Sequence, residues 1–314
     1  MRRLLVCALM VAALACKGER GGGAPAGGGA AQASTANLPP FDDQAAFTLL
    51  KEQVAFGPRV PGTPGHQKQL DWMVGYLRQR ADSVEVQSFD AKGPKGEKLR
   101  LANVIARFNP KARDRILLLA HWDTRPTADN EPDTAKRKEP ILGANDGASG
   151  VAVLMQLADV LKRHSQPLGV DLLFTDGEDY TDAMYLGSEH FAAHLPPGYK
   201  PLYGILVDMV GDQSPVFPIE PTSQQAAPEV VERVWRTAEE LGLSQYFPRS
   251  PGTPVDDDHV PLNRAGIRTI DIIDFDYGPG NAYWHTLGDT VEHTSPVGLG
   301  AVGKTLVGLI YRGG

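Results

Sequence analysis

Cysteine is almost absent from this 314-residue chain, and its two cysteines, Cys7 and Cys16, both lie near the start. No disulfide can form within the rest of the chain, so the fold must rest on its core and on whatever it binds. Clusters of basic residues are missing too: 31 Lys and Arg lie scattered among 38 Asp and Glu, for a net charge of −7. That balance lacks the electrostatic footprint of a nucleic-acid-binding protein, and no nucleic-acid partner is expected. Long apolar runs are absent except over residues 4–15, a stretch too short to span a bilayer. Arg2 and Arg3 precede it and Ala13-Leu14-Ala15 closes it, so residues 1–15 read as a secretory signal peptide. Cys16 follows at once and is a candidate lipid anchor; the alternative is ordinary cleavage with Cys16 incidental. The expectation is an exported protein, periplasmic or held on a membrane only through a lipid on Cys16.

Residues 16–40 are rich in Gly and Ala and cannot bury enough apolar surface to order themselves, which predicts a flexible tether. From residue 41 the composition is globular, and a single catalytic domain is expected over 41–314. Apolar residues at helical spacing predict helices over 43–54, 67–80, 149–163, 228–241 and 297–312. Short apolar or alternating runs predict strands over 83–89, 103–108, 116–120, 170–174, 203–207 and 267–273. Helices alternating with buried strands define the expected fold class: an α/β protein, a three-layer α/β/α sandwich around a mostly parallel sheet.

Four of these strands end in side chains that carry chemistry. The first runs into His121-Trp122-Asp123, the second into Thr175-Asp176-Gly177-Glu178-Asp179, the third into Asp208, and the fourth toward Asp274 and then Trp284-His285. Open α/β sheets bind ligands outside the carboxyl ends of their strands. Gly143-Ala144-Asn145-Asp146-Gly147-Ala148-Ser149-Gly150 opens the 149–163 helix, where Asp146 is either a helix cap or a ligand. Glu178 and Asp179 are adjacent, so their side chains diverge; one can hold a metal while the other faces substrate. Asp146, Asp179 and His285 together offer two carboxylates and one imidazole, a three-ligand set for Zn²⁺ with one position open for catalysis. Asp123 can orient the His121 ring from the second coordination shell. Asp208 is open to three readings: a second metal ligand, a proton acceptor or a capping acid. Of Asp256-Asp257-Asp258-His259, at least one acid is expected to point inward. His66, His164, His190, His194 and His293 have no comparable context and are read as structural.

In their order and spacing, these motifs resemble the superfamily of zinc aminopeptidases and vertebrate-type glutaminyl cyclases. The resemblance runs over about residues 41–314 and includes the early Gly57-Pro58-Arg59-Val60-Pro61-Gly62 turn. It implies a zinc-exopeptidase-like fold, zinc on Asp146, Asp179 and His285, Glu178 as general acid/base, and Asp208 and Asp258 in the proton-handling network. In the aminopeptidase branch two zincs are usual, with His121 and Asp208 joining a bridging Asp146. In the cyclase branch there is one zinc, and a tryptophan such as Trp284 walls the pocket. Asp179 in place of the usual glutamate, and the run from Tyr203 to Asp212, look most like the bacterial cyclases of the vertebrate type. The resemblance implies peptide substrates with a free N-terminus, cyclised at N-terminal glutamine or, in the alternative, trimmed by an aminopeptidase. A non-catalytic binding lipoprotein on the same scaffold is a third class; loss of a ligand or of the base would mark it, and neither is lost here.

Overall fold

The computed structural model describes residues 38–313. The signal-like run, Cys16 and the tether up to residue 37 lie outside the described residues. Helices α1 (Asp43–Val54) and α2 (Pro64–Arg78) lead into a hairpin of β1 (Ser83–Lys92) and β2 (Lys98–Phe108). Then follow β3 (Arg115–His121), α3 (Ala148–Arg163), β4 (Gly169–Thr175), the two-residue strands β5 (Asp179–Tyr180) and β6 (Ala183–Met184), and α4 (Leu186–Ala193). The chain continues with β7 (Gly204–Asp208), α5 (Pro221–Ala226), α6 (Pro228–Glu240), α7 (His259–Arg264), β8 (Thr269–Ile273) and α8 (Pro296–Tyr311).

Six strands form one sheet in the order β1-β2-β4-β3-β7-β8. β4, β3, β7 and β8 pair in parallel, while β1 and β2 add antiparallel at one edge. The apolar run of β3 is explained by its central place, since both of its faces are covered. Ile116, Leu118 and Ala120 join the large cluster with α1, α3, α6 and α8, whereas Leu117 and Leu119 join Phe191 of α4 and Leu262 of α7 on the opposite face. Side chains alternate across a strand, so this is the three-layer sandwich the sequence implied. β1 is an edge strand with little burial, and the hairpin carries it to Lys92, beyond where its alternation reads.

Because β3, β4 and β7 are parallel, His121, Thr175 and Asp208 emerge along one edge of the sheet. The turn before α3 returns to that edge. Gly147 there has φ +99°, a left-handed conformation that glycine adopts without strain. Three residues on, a Cβ at Gly150 would run into the carbonyl oxygen of Val207, so glycine lets α3 press its first turn onto β7. No helix among the described residues is long and apolar enough to cross a membrane.

Candidate metal centre

The carboxyl edge collects almost every side chain that the sequence singled out. Among the described residues, two groups could hold a cation: Asp146, Asp179 and His285, and His121, Asp146 and Asp208, with Asp146 common to both. In the first group, His285 Nε2 lies 3.5 Å from Asp146 Oδ2 and 3.6 Å from Asp179 Oδ2. Those gaps are long for hydrogen bonds, but ligand atoms about 2.0–2.2 Å from a tetrahedral zinc sit about 3.3–3.6 Å apart. Asp179 Oδ2 is buried and has no hydrogen-bond partner, a situation that ordinarily costs free energy unless a ligand completes it. The donor set therefore fits zinc in both chemistry and spacing.

The second group is drawn together more tightly. His121 Nε2 makes a 3.1 Å hydrogen bond to Asp208 Oδ1 and lies 3.2 Å from Asp146 Oδ1. Burial works against a charge on His121, but the Asp208 carboxylate and contacts with Asp123 and Asp146 outweigh it and hold the imidazole pKa well above normal. The same three side chains, His121, Asp146 and Asp208, are nonetheless close enough to hold a cation. His285 is the opposite case: burial holds its pKa down to about 4, leaving a neutral ring with a lone pair to offer.

The surroundings fix these groups by hydrogen bonds. Asp123 accepts from the backbone N–H groups of Glu178 (3.1 Å) and Asp179 (3.3 Å), and one of its oxygens lies 3.6 Å from His121 Nδ1. The sequence pointed Asp123 at the His121 ring, but at 3.6 Å Nδ1 has no hydrogen-bond partner. Asp289 accepts from the N–H groups of Asn145 (2.7 Å) and Asp146 (3.1 Å) and from Tyr277 Oη (3.1 Å), so it seats the Asp146 turn. Burial, with Asp146 nearby, pushes the Asp289 carboxyl up to about 7. Arg59 of the early turn is fully buried and donates to the carbonyls of Leu142 and Gly143, bracing the same turn from behind. Asp289, Tyr277 and Arg125, whose Nη1 donates to Asp179 Oδ1, escaped the sequence reading. For Arg125 a signal existed, the alternation His121, Asp123, Arg125 after β3.

A cavity of about 50 Å³ opens onto this centre, lined by acids (Asp146, Glu178, Asp179, Asp208) and by an apolar wall that includes Met209, Ile273 and Trp284. Trp284 stacks on His285 at 3.9 Å and meets Phe275 edge-on at 4.9 Å. His285 (φ +54°) and Met209 (φ +49°) both sit in the left-handed region, where a non-glycine residue typically costs about 1–3 kcal/mol. Glu178 is 6% exposed; burial, then Asp257, pushes its carboxyl well above the usual range. Of the acidic run 256–258, Asp256 and Asp257 line the cavity. Asp258, expected in the proton-handling network, is fully buried and takes a hydrogen bond from Thr175 Oγ1, away from the cavity lining. Asp257 and Asp258 are thus both buried, but only Asp257 shares the cavity lining with Asp256. His66, read as structural, is tied to buried Asp176 at 2.9 Å and stacks on Trp122 at 4.2 Å.

A sandwich whose parallel edge gathers an aspartate–histidine centre beside a buried glutamate has the architecture of a metal-dependent exopeptidase. The chain belongs to Peptidase family M28, whose sequence profile matches residues 103–310. A mouse (Mus musculus) glutaminyl-peptide cyclotransferase-like protein is 30% identical over 274 residues, spanning 76% of this chain and 67% of that protein. The solved structure of a glutaminyl cyclase from Bacteroides thetaiotaomicron, bound to N-acetylhistamine, superposes with a TM-score of 0.85 at 39% identity, over 88% of this chain and all (100%) of that one. A Zn-dependent exopeptidase from Parabacteroides distasonis matches as well, with a TM-score of 0.84 at 36% identity, over 88% of this chain and 100% of that one.

Proposed function

We propose that this protein is a zinc-dependent glutaminyl-peptide cyclotransferase, converting N-terminal glutamine of a peptide into pyroglutamate with release of ammonia. The observation that carries this reading is the three-ligand group Asp146, Asp179 and His285 set beside buried Glu178 and the apolar wall of Trp284. Kinship with glutaminyl cyclases supports it. Asp146, Asp179 and His285 would hold the zinc, which when bound supplies a Lewis acid for the γ-carboxamide carbonyl.

The chain's own groups do the rest. Trp284 and the apolar wall take up the compact glutamine side chain and exclude water, which strengthens electrostatic interactions inside. Glu178 accepts a proton from the α-amine as that nitrogen bonds to the side-chain carbonyl carbon. Glu178 then returns the proton to the amide nitrogen, the carbon–nitrogen bond breaks, and ammonia leaves. Asp208, held by His121, and Asp257 keep further buried carboxyls beside Glu178.

An aminopeptidase is the second reading, favoured by one observation: His121, Asp146 and Asp208 lie close enough to take a second cation. In it Glu178 activates a water instead of an amine. Incubation with Gln-initiated and Leu-initiated dipeptide amides, with zinc per chain measured alongside, separates the two. Ammonia and pyroglutamyl product, with one tightly held zinc, are expected. Two zincs with efficient leucine release would establish the peptidase, and one zinc with neither activity would mark a binding protein.

A further inference from the structure

Asp179 is divided between two partners. Its Oδ1 takes the Arg125 Nη1 donor, while its buried Oδ2 has no hydrogen-bond partner and faces His285 Nε2 at 3.6 Å. The Arg125 side chain is only 11% exposed, and its Nε is held at 2.6 Å by Asp129, which is 42% exposed. The fork is therefore fixed at its outer end in solvent and at its inner end on a proposed ligand. The segment that carries it also grips the other side of the centre. The N–H of Asn130 donates to the carbonyl of His285 at 3.1 Å, and Glu131 Oε2 accepts from the N–H of Leu287 at 3.1 Å.

We propose that Arg125 is a positioning residue of the metal centre, pinning one oxygen of Asp179 so that only Oδ2 is offered to the cation. This rests on the zinc reading given above. An aspartate reaches less far than a glutamate and can turn either oxygen, or both, toward an ion. A guanidinium held by Asp129 at Nε and giving Nη1 to Oδ1 restricts that freedom, because turning the carboxylate would break a charge-assisted hydrogen bond. Residues 125–131 thus brace both Asp179 and the His285 loop from one segment. Arg125 is not among the residues that line the cavity, so the role proposed for it passes through Asp179.

The test uses metal affinity and ligand geometry, not turnover alone. Apo protein is titrated with zinc against a competing chelator, and the cobalt(II) form is examined by visible absorption, for wild type, Arg125→Gln, Arg125→Lys and Asp129→Asn. Wild type is expected to bind tightly. Arg125→Gln should lose about 10–100-fold in zinc affinity, the usual effect of removing an outer partner of a ligand, and should shift the cobalt spectrum. Arg125→Lys, which keeps the charge without the fork, should recover part of the affinity but not the spectrum, and Asp129→Asn should lose less than Arg125→Gln. Wild-type affinity and an unchanged spectrum in Arg125→Gln overturn the role of Arg125 while leaving the centre intact. A wild-type protein that takes up no zinc overturns the centre itself and this role with it.

Discussion

Replacing Glu178 with glutamine separates chemistry from architecture, because the two consequences run in opposite directions. The carboxylate lies outside both three-residue cation groups and lines the cavity beside them. Its backbone N–H is held by Asp123, a contact the substitution leaves alone. Metal content should therefore stay as in wild type. Turnover should fall about 10²–10⁴-fold, the range for removal of a positioned general acid/base, which is about 3–5 kcal/mol of barrier at 1.36 kcal/mol per decade. Stability should move the other way. Burial pushes the Glu178 carboxyl up and Asp257 pushes further, against an opposing pull from His121, so holding a charge at this position costs free energy. A neutral amide of the same shape relieves that repulsion, and the melting temperature should stay level or rise. Ammonia release from a Gln-initiated dipeptide, zinc per chain and thermal unfolding together decide the matter. Full turnover in Glu178→Gln would remove the glutamate from the mechanism, and loss of zinc would make it a ligand.

Asp179→Ala and His285→Ala should each lose the metal as well as activity, read by zinc per chain after dialysis; retention of stoichiometric zinc by either would refute the ligand set. Glu220 caps α5 and takes hydrogen bonds from the N–H groups of Thr222 and Ser223. Burial raises its pKa, but contacts with His259, Ser223 and these amides outweigh that and hold it at about 2, below its ordinary value. A depressed carboxyl gives stability above its unfolded pKa and loses it as pH falls through the folded one. Glu220→Gln should thus lower the melting temperature at neutral pH, and its difference from wild type should shrink between about pH 4.5 and 2; a constant difference would contradict this. The leader and anchor are proposals too: Cys16→Ser should release the protein from the membrane fraction, and unchanged association would refute the lipid.

The sheet and the three proposed ligands could be read from the sequence for one reason. Buried parallel strands are written as apolar runs, and the residue that ends such a run must emerge at the ligand-binding edge. α3 and α8 are long and strongly patterned, and both lie within a residue of where periodicity sets them. α5 and α7 span six residues each, too few for a periodic signal, and neither was expected. Within the run 256–258 nothing local told which acids would line the cavity, a place that Asp256 and Asp257 take. Asp289 reaches the Asp146 turn from 143 residues away along the chain. Nothing local to Asp289 records that meeting, which exists only once the loops dock.

Asp123 holds the amides of Glu178 and Asp179 with its two oxygens. The proposed proton carrier and the proposed cation holder therefore hang from a single hook, and neither can be retuned by moving its backbone without disturbing the other. A lineage that changes its reaction on this scaffold is left with side-chain length as its free variable at these two positions. The short aspartate at position 179, met by an arginine from outside, is one use of that variable.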